Sequence, residues 1–436
     1  MSTNLPSRTA LSLSLAHFAR PTGAHILDRT KSFGEYIDLR QKEGVFPYSR
    51  SLVTAAGPMA SIQYDNGTQG EGLNFASQDY LAMNTRPEVC DAAHEAINKY
   101  GVHSAGSPAL LGNTVNSLAL EKSLCDFLQT EHVILFPTGW AAAYGTIAGL
   151  VRPDDYVVMD ELSHASLQTG IYAATRKVVR CEHLAVDEMV TTIKNIRATD
   201  TRNGILVVTE SLFSMDSDSP ELIKLQTACK EFGAVLMVDV AHDLGAIGPH
   251  GTGQLGLQKL LGKVDLVMGS FSKTFASNGG FLATHDSYVR HFVKYYGGSH
   301  TFSNAISPVQ SAVVSKVLQI VQSKLGDQLR SDLMIAVNAL REEFKVLGIT
   351  CLGEPTAIVP VPVGSEASAR IASWLLAQRG VLANLVEFPA VRANSARFRL
   401  QVMASHTKEQ AIQAARIVAS CLNEAKDIAK KIEEHV

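Results

Sequence analysis

The sequence predicts an α/β fold: a large domain with a mostly parallel central sheet, and a smaller α+β C-terminal domain. Between residues 71 and 305, short apolar runs alternate with helix-length segments, which is typical of a parallel sheet because parallel neighbours are joined through crossover helices. After Pro308 this alternation gives way to long amphipathic helices and a few short strand candidates. We therefore expect the large domain to precede the smaller one in the chain.

The apolar runs give the strands of the predicted large domain. Polar residues or glycine bound each run and limit it to the length of a strand. One intervening helix is marked by Pro87 at its start and by Gly101 just beyond its end. The predicted strands are 132–136, 156–159, 205–208, 235–238 and 264–268.

The remaining segments complete a predicted division into three regions. Residues 1–70 are turn-rich and predict an N-terminal arm and a strand pair that belongs to the small domain, residues 71–305 form the large domain, and residues 306–436 form the C-terminal small domain. A last helix is expected to open at Thr407, where Gln410 occupies the capping-box position. The other C-terminal predictions are helices at 309–323 and 329–347 and strands at 358–363 and 396–403.

Composition excludes several classes of protein. Hydrophobic residues make up 46% of the 436 positions, which is enough for a buried core. The net charge is -3, so no positive electrostatic field favours the binding of nucleic acid or of an anionic membrane. The six cysteines form no CxxC pair, which argues against a zinc site or a disulfide framework and is typical of a reducing cytoplasm. We expect a cytoplasmic protein with no metal, no nucleic-acid partner and no membrane span.

Polar residues follow the predicted strands where a ligand site would need them. Asp239 and His242 follow the strand 235–238, while Ser270 and Lys273 follow the strand 264–268. In open parallel sheets, ligands bind outside the carboxyl ends of the strands. The strand 132–136 leads through Thr138-Gly139-Trp140 into an alanine-rich helix, whose first N–H groups favour a phosphate.

Each of these residues also has a purely structural explanation. Lys273 could be a solvated surface lysine, and Asp239 could be an ordinary strand-end turn residue. His242 could be a buried structural histidine, and the segment 163–166 could simply cap a helix. Their order along one sheet edge favours a cofactor site over a coincidence of separate structural roles.

These motifs resemble those of the α-oxoamine synthases, fold-type-I enzymes that depend on pyridoxal 5′-phosphate (PLP). The family includes 8-amino-7-oxononanoate synthase, 2-amino-3-ketobutyrate ligase, 5-aminolevulinate synthase and serine palmitoyltransferase. The lysine motif is shared with other fold-type-I enzymes, whereas the segments 163–167 and 396–400 are more specific to this family. The resemblance runs from about Phe46 to the C-terminal helix, through 77–81, 138–140, 163–167, 213–216, 239–242, 269–273, 396–400 and 405–407.

The resemblance implies catalytic roles for three residues. It makes Lys273 the lysine that holds PLP as a Schiff base and later moves protons at the substrate α-carbon. Asp239 is implied to pair with the pyridine nitrogen and to keep it protonated, which strengthens the ring as an electron sink. His164 is implied to stack on the face of the ring and to contact the reacting acyl group.

Binding roles are implied in the same way. Arg399 matches the arginine that grips the amino-acid carboxylate, for which a guanidinium is a natural bidentate partner. A homodimer is implied as well, in which two residues of each chain reach the phosphate held by the partner. The implied cofactor-binding residues are Gly139, Trp140, His164, Ser214, Asp239, His242, Ser270, Lys273, Ser303 and Asn304.

The implied reaction is a decarboxylative condensation of an amino acid with an acyl thioester, acyl-CoA or acyl-carrier protein, giving a 2-amino ketone, carbon dioxide and free thiol. Such an enzyme is a C-acyltransferase of a biosynthetic pathway. Two alternatives remain open: another fold-type-I reaction such as transamination or aldol cleavage, and a non-catalytic PLP-binding sensor module. The specific motif around His164 and the segment 396–400 favour the condensation.

Some positions depart from the family pattern. Asp243 stands where well-known members usually carry glycine, and Glu387 lies where some members carry a second arginine near the substrate. Ser117 stands where histidine is frequent, and the segment 104–108 lacks a common arginine. The cofactor residues are unaffected, so the resemblance leaves the amino acid, the acyl group and the thioester carrier undetermined.

Overall fold

The computed structural model describes residues 5–64 and 67–434. These residues form two compact units. The smaller unit contains the chain up to Tyr80, the short segment Met215–Ser217 and the chain from Ser331 onward. The larger unit contains Leu81–Ser214 and Asp218–Arg330.

Strands of both units are numbered along the chain. All five strands predicted for the large domain are present, and four of them have the predicted first residue. The strands are β1 Ser51–Leu52, β2 Met59–Gln63, β3 Gln69–Phe75, β4 His132–Phe136, β5 Tyr156–Asp160, β6 Val178–Cys181, β7 Ile205–Glu210, β8 Val235–Asp239, β9 Leu266–Ser270, β10 Gly280–Thr284, β11 Ile358–Gly364, β12 Val381–Val386 and β13 Ala396–Gln401.

Helices are numbered in the same way. The helix bracketed by Pro87 and Gly101 is confirmed, with Gly101 as its C-cap. The helices are α1 Arg8–Leu11, α2 Lys31–Lys42, α3 Pro87–Tyr100, α4 Val115–Leu128, α5 Gly139–Leu150, α6 Ala165–Ala174, α7 Val186–Thr199, α8 Leu222–Phe232, α9 Gly253–Leu257, α10 Ser287–Tyr296, α11 Gly298–Thr301, α12 Pro308–Val321, α13 Lys324–Val346, α14 Glu366–Gln378 and α15 Lys408–Glu434, with 3₁₀ turns at Leu15–Phe18, Asp28–Thr30 and Pro249–Gly251.

A seven-stranded sheet in the order β4-β10-β9-β8-β7-β5-β6 organises the larger unit. The pairs from β9 through β8, β7 and β5 to β6 are parallel, whereas β10 runs antiparallel to both of its neighbours. The prediction of a mostly parallel sheet is therefore confirmed. Side chains from the strands and from α5 and α6 form one buried apolar cluster, so the strand ends rest on a well-packed core.

Strands β5, β7 and β8 end one or two residues later than predicted, and three further features of this sheet differ from the sequence prediction. The strand after α9 begins at Leu266, two positions later than predicted, because Val264 is buried but does not pair with a neighbouring strand. Strand β6 was not predicted because it lies at the sheet edge and is only partly buried. Strand β10 was not predicted because it pairs antiparallel with β9 without an intervening helix.

The smaller unit contains a six-stranded sheet in the order β1-β2-β3-β12-β13-β11. Strand β3 pairs in parallel with β12, so N-terminal and C-terminal parts of the chain share one sheet. The predicted N-terminal strand pair corresponds to the antiparallel β2 and β3. The predicted capping box at α15 is present: the Thr407 N–H donates to Gln410 Oε1 at 2.9 Å, and the Gln410 N–H donates to Thr407 Oγ1 at 3.2 Å.

The predicted domains and the compact units divide the chain at different residues. The boundary predicted after residue 305 separates α12 from the large domain, whereas α12 lies in the larger unit and packs against α3 and α4. The difference arises because an amphipathic helix pattern does not say which core the helix covers. The assignment of residues 1–70, 71–305 and 306–436 as functional domains stays a prediction. Within the described part of the chain, no helix is long and apolar enough to cross a membrane.

Candidate active site

Ionisable side chains gather at the carboxyl edge of the larger unit's sheet. Asp160, Glu210 and Asp239 are the last residues of β5, β7 and β8, and Lys273 lies three residues beyond the end of β9. The register places Glu210 opposite Asp239, and Asp239 opposite Met268 of β9. Three neighbouring strands thus deliver two carboxyl groups and one amine to the same edge.

Asp239 is buried at the centre of this edge. Its Oδ1 accepts a hydrogen bond from the Ala241 N–H at 2.9 Å, which fixes the carboxylate against the turn after β8. Burial raises the pKa of Asp239, while the charges of Lys273 and His164 oppose that rise. The structure therefore brings together the three residues that the sequence analysis named as catalytic.

Glu210 is a site residue that the sequence analysis did not single out. It is buried beside Asp239, and its Oε1 accepts a hydrogen bond from the His164 N–H at 2.6 Å. Burial raises the pKa of Glu210 well above its usual value, and the Asp239 carboxylate raises it further. Of the two acids, Glu210 therefore binds a proton more readily. A carboxylate that ends a fully buried strand is the signal that could have identified it.

His164 is the N-cap residue of α6 and lies at the same edge of the sheet. Its Nδ1 lies 2.8 Å from Ser166 Oγ and accepts a hydrogen bond from the Ser166 N–H at 3.3 Å, so the residue caps the helix. The Trp140 ring meets the exposed imidazole edge-on, with 6.3 Å between ring centroids. His164 therefore caps the helix, and the same geometry leaves its imidazole accessible beside Asp239.

The backbone N–H groups at the start of α5 are suitable hydrogen-bond donors for an anion the size of a phosphate. Thr138 Oγ1 accepts the Ala141 N–H at 3.0 Å, and the first N–H groups of any helix lack partners within it. Gly139 is required here, since a Cβ at this position would lie 2.5 Å from Ser270 Cβ. The Gly139 backbone is thus pressed against Ser270, and Trp140 follows it with a half-exposed side chain.

The turn after β9 holds Lys273 in a fixed loop. The Phe271 N–H donates to the Gly279 carbonyl at 3.0 Å, and the Ala276 N–H donates to the Lys273 carbonyl at 2.9 Å. Gly279 has a φ of +117°, and a Cβ there would meet Ile306 Cδ1 at 2.6 Å. Because only glycine fits at this closure, the loop gives the half-buried lysine one backbone arrangement.

The two other predicted cofactor contacts, Ser214 and His242, are both buried in the larger unit. Asp243, which departs from the family pattern, has a structural role next to them. Its carboxyl oxygens accept the Ser211 hydroxyl at 2.7 Å and the Gln254 N–H at 2.6 Å. Burial raises the pKa of Asp243 to about 7. Asp243 therefore ties the residue after β7 to the first turn of α9.

Arg399 lies on β13 in the smaller unit. Its Nη1 lies 3.8 Å from Met215 Sδ, and its Nε has no hydrogen-bond partner among the described residues. Burial lowers the pKa of Arg399, and Tyr80 opposes that shift. Arg397 on the same strand is instead paired with Asp216. Arg399 is thus a partly buried arginine without a carboxylate partner in the described chain.

Glu387, the second departure, belongs to a buried ion cluster in the smaller unit. Its Oε2 accepts the Arg370 Nε–H at 2.8 Å, and its Oε1 lies 3.9 Å from Arg40 Nη1. The two arginines also donate to backbone carbonyls of the arm: Arg40 to Ser12 at 2.8 Å and Arg370 to Leu13 at 2.7 Å. Glu387 therefore balances the charges that anchor the N-terminal arm.

Ser303 and Asn304 lie at a surface of the larger unit, in the connection between α11 and α12. The preceding Phe302 is 88% exposed. The end of α11 is tied to the segment before α4, because Ser107 Oγ donates to the Thr301 carbonyl at 2.6 Å. That segment carries Leu110 and Leu111, which are 86% and 89% exposed. The predicted phosphate contacts therefore do not lie among the strand-end residues of their own chain but beside an exposed apolar surface.

The residues of the larger unit fit PLP. An amine beside a buried carboxylate suits the aldehyde and the ring nitrogen of the cofactor. The helix N-terminus pressed against Ser270 suits its phosphate. Lys273 and Asp239 would hold the reactive end and the ring of the cofactor, and Gly139, Trp140 and Ser270 would hold its phosphate.

Comparison with known proteins identifies relatives over most of the chain. The family described as aminotransferase class I and II matches residues 70–418. The chain is 30% identical over 389 residues to 8-amino-7-oxononanoate synthase of Geotalea daltonii, covering 89% of this chain and 97% of that protein. It is 32% identical over 386 residues to serine palmitoyltransferase of Sphingobacterium spiritivorum, covering 88% and 93%.

Solved structures give the same result. Sphingomonas wittichii serine palmitoyltransferase has a TM-score of 0.85 with 26% sequence identity, over 92% of this chain and 99% of that one. A serine palmitoyltransferase variant from S. paucimobilis, solved with a bound PLP–myriocin aldimine, also has a TM-score of 0.85 and 26% identity, over 92% of this chain and 100% of that one. The fold and the site together define a fold-type-I PLP-dependent enzyme.

Within that class, the chain belongs to the α-oxoamine synthase family of the class I and II aminotransferases. It is therefore an acyltransferase, and PLP is its cofactor. The resemblance drawn from the sequence motifs is confirmed.

Proposed function

We propose that this protein condenses an amino acid with an acyl thioester and releases a 2-amino ketone, carbon dioxide and free thiol. A carbon–carbon bond forms between the α-carbon and the thioester carbonyl carbon as the carbon–sulfur bond breaks, and the α-proton ends on the thiol. The bond between the α-carbon and the carboxylate then breaks to release carbon dioxide, and a proton from solvent takes its place on the α-carbon. The carrying observation is the strand-end arrangement of Lys273, Asp239 and His164, in which Lys273 and His164 both lie close enough to the Asp239 carboxylate for their charges to oppose the rise in its pKa. A condensing enzyme needs such a group next to the reacting carbon, to position a second carbonyl.

Lys273 and Asp239 carry the proton chemistry in this proposal. PLP, when bound, supplies an electron-withdrawing ring that accepts the negative charge developing at the α-carbon. Lys273 holds the cofactor and takes the α-proton on its amine. Asp239 holds a proton on the ring nitrogen, and its bond from Ala241 keeps the carboxylate in place. His242 and Ser214 donate hydrogen bonds to the bound cofactor.

His164 and Arg399 bind the two substrates in this proposal. Arg399 takes the amino-acid carboxylate, supported by a guanidinium that lacks a carboxylate partner in the described chain. His164 contacts the acyl carbonyl, supported by its accessible ring and by the Glu210 carboxyl that fixes its backbone.

We also propose a homodimer in which Ser303 and Asn304 reach the phosphate site of the partner subunit. The support is the apolar surface of Phe302, Leu110 and Leu111 beside them, since side chains this exposed are usually covered in the assembled protein. Sedimentation should give the mass of a dimer. Asn304→Ala should weaken PLP retention, whereas the dimer should persist.

The protein is proposed to act in the cytoplasm, which its six free cysteine thiols support. The thioester donor is proposed to be acyl-CoA or an acyl-carrier protein. Parallel assays that present the same acyl chain on each carrier distinguish the two donors.

The reaction class is tested by product balance. Purified enzyme is incubated with a panel of amino acids and thioesters, and free thiol, carbon dioxide and 2-oxo acids are measured together. Thiol and carbon dioxide should appear one for one, and no 2-oxo acid should form. Lys273→Ala, tested under the same conditions, gives the background. Conversion of amino acids to 2-oxo acids without a thioester would instead establish transamination, and thiol release without carbon dioxide would also overturn the proposal.

A further inference from the structure

His183 lies between two carboxylates in the larger unit, just beyond the end of β6. Its Nδ1 is 3.1 Å from both carboxyl oxygens of Asp160, and its Nε2 is 3.2 and 3.1 Å from those of Asp218. The Phe213 ring meets the imidazole edge-on at 4.6 Å. Because both ring nitrogens face carboxylates, both carry protons, and the histidine bridges two acids.

The bridging imidazole of His183 carries a positive charge at neutral pH. Burial lowers the pKa of His183, but the hydrogen bonds with Asp160 and Asp218 have the larger combined effect and raise it to about 10. Asp160 and Asp218 are the two acids that face the ring, and their side chains are 2% and 22% exposed. Water therefore has little access to the Asp160 side of the bridge.

On one side, the bridge reaches the loop that carries His164. Asp160 is the last residue of β5, and its carboxyl oxygens accept the N–H groups of Leu162 and Leu184, each at 2.8 Å. Its carbonyl accepts the Ser163 N–H at 3.1 Å. Asp160 thus fixes the chain up to the residue before His164.

On the other side, the bridge reaches the loop that carries Ser214. The Asp218 carbonyl accepts the Phe213 N–H at 2.9 Å, which closes this loop directly around Ser214. Phe213 also contacts the His183 ring. One imidazole thus touches both the acid and the aromatic residue that define the loop.

We propose that His183 is a positioning residue: its bridge between Asp160 and Asp218 clamps the His164 loop to the Ser214 loop and holds both side chains where the condensation uses them. The inference rests on the proposed function, because it assigns His164 and Ser214 to the reacting site. His183 itself contacts neither substrate nor cofactor in this assignment.

The test uses His183→Gln and Asp218→Asn, singly and combined, in the PLP-loaded enzyme. We expect His183→Gln to lower kcat about tenfold or more, as the loss of an outer hydrogen-bond partner of a functional group does, while KM for the amino acid changes little. Asp218→Asn should have a smaller effect, because the bridge to Asp160 remains. In the double variant the two losses should not add, since both break the same bridge.

Two further readouts separate positioning from simple stability. The visible circular dichroism of bound PLP reports the orientation of the ring and should change in His183→Gln. The Tm of the cofactor-free protein reports stability alone. Arg416→Gln is the matched control, because it breaks the 2.7 Å ion pair with Glu343 in the smaller unit and should leave kcat and the dichroism unchanged.

The outcomes are distinguishable. A lower Tm with normal kcat and normal dichroism in His183→Gln would overturn the inference, and so would additive losses in the double variant. If His183→Gln does not fold, Asp218→Asn decides by the same readouts. Normal kcat in His164→Ala would overturn the proposed site, and the inference with it. A low kcat in His164→Ala with a normal kcat in His183→Gln would overturn the inference alone.

Discussion

Glu210 and Asp239 lie opposite each other on the parallel strands β7 and β8, so two buried carboxyl groups share one edge beside Lys273. Two buried carboxyl groups on facing residues are costly to ionise together, and burial raises the pKa of both, that of Glu210 well above its usual value. The two acids are therefore expected to be in different protonation states. Asp239 supplies the charge, and Glu210 supplies a neutral carboxyl group.

This division predicts unequal effects of two isosteric substitutions. Asp239→Asn should retain PLP but lose about a hundredfold or more in kcat, because a preorganised charge at the ring nitrogen disappears. Glu210→Gln should have a much smaller effect, since it replaces a carboxyl group that is already neutral and keeps an acceptor for the His164 N–H. Steady-state kinetics with PLP quantified by absorbance checks both. Equal losses in the two variants would contradict the assignment.

Lys273 should be the covalent attachment point of PLP. The purified protein should be yellow, and borohydride reduction followed by peptide mapping should find the cofactor on Lys273. Lys263, an exposed lysine in the turn before β9, is the comparison site and should carry no label. A label on any other lysine would show that the cofactor site is wrongly assigned.

Arg399 should determine amino-acid binding. Arg399→Ala should raise KM for the amino acid strongly, because truncating one partner of a buried charge pair costs about 2–5 kcal/mol. Arg397→Gln is the matched control on the same strand. Since Arg397 is already paired with Asp216, its loss should lower Tm and leave KM nearly unchanged. A similar KM in wild type and Arg399→Ala would remove the arginine from the substrate site.

His183 should make stability depend on pH in one direction. Its folded-state pKa of about 10 lies above the ordinary value of 6.5, so the stability it contributes is fully present below pH 6.5 and is lost as the pH rises through about 10. The difference in Tm between wild type and His183→Gln should therefore shrink over that interval. A constant difference would mean that the carboxylates do not hold a proton on this ring.

Glu387 should matter for the anchoring of the N-terminal arm. Glu387→Gln leaves two buried guanidinium groups without their carboxylate, and breaking a buried pair in this way costs about 3–5 kcal/mol. Glu424→Gln, which breaks the more exposed pair with Arg379, should cost about 1 kcal/mol or less. Thermal unfolding of the two variants compares them. Equal shifts in Tm would show that the buried cluster contributes no more than the exposed pair.

Many elements of both units followed from local sequence. The apolar runs, the proline and glycine at the ends of α3 and the capping box of α15 are short-range signals, and each specifies an element without reference to the rest of the chain. The motif around Lys273 could be read for the same reason, because its residues are consecutive and follow a strand.

Other features depend on contacts between distant segments. The pairing of β3 with β12 joins residues that are far apart in sequence, and no local pattern encodes it. The role of Glu387 depends on two arginines from distant helices, Arg40 on α2 and Arg370 on α14. These ion pairs give Glu387 a structural role that its position in the sequence does not reveal. Strand β10 lacked a signal because a five-residue apolar segment after a loop is also compatible with a helix or a turn.

The sequence by itself determined the order of elements, the strand-end positions of Asp239 and Lys273 and the family to which they belong, because these are properties of consecutive residues. Only the tertiary structure decided that Glu210 faces Asp239, that His183 bridges Asp160 and Asp218, and that Asp243 fastens a turn. The reason is physical: a pKa and a hydrogen bond depend on burial and on partners within a few ångströms, and folding alone brings those partners together.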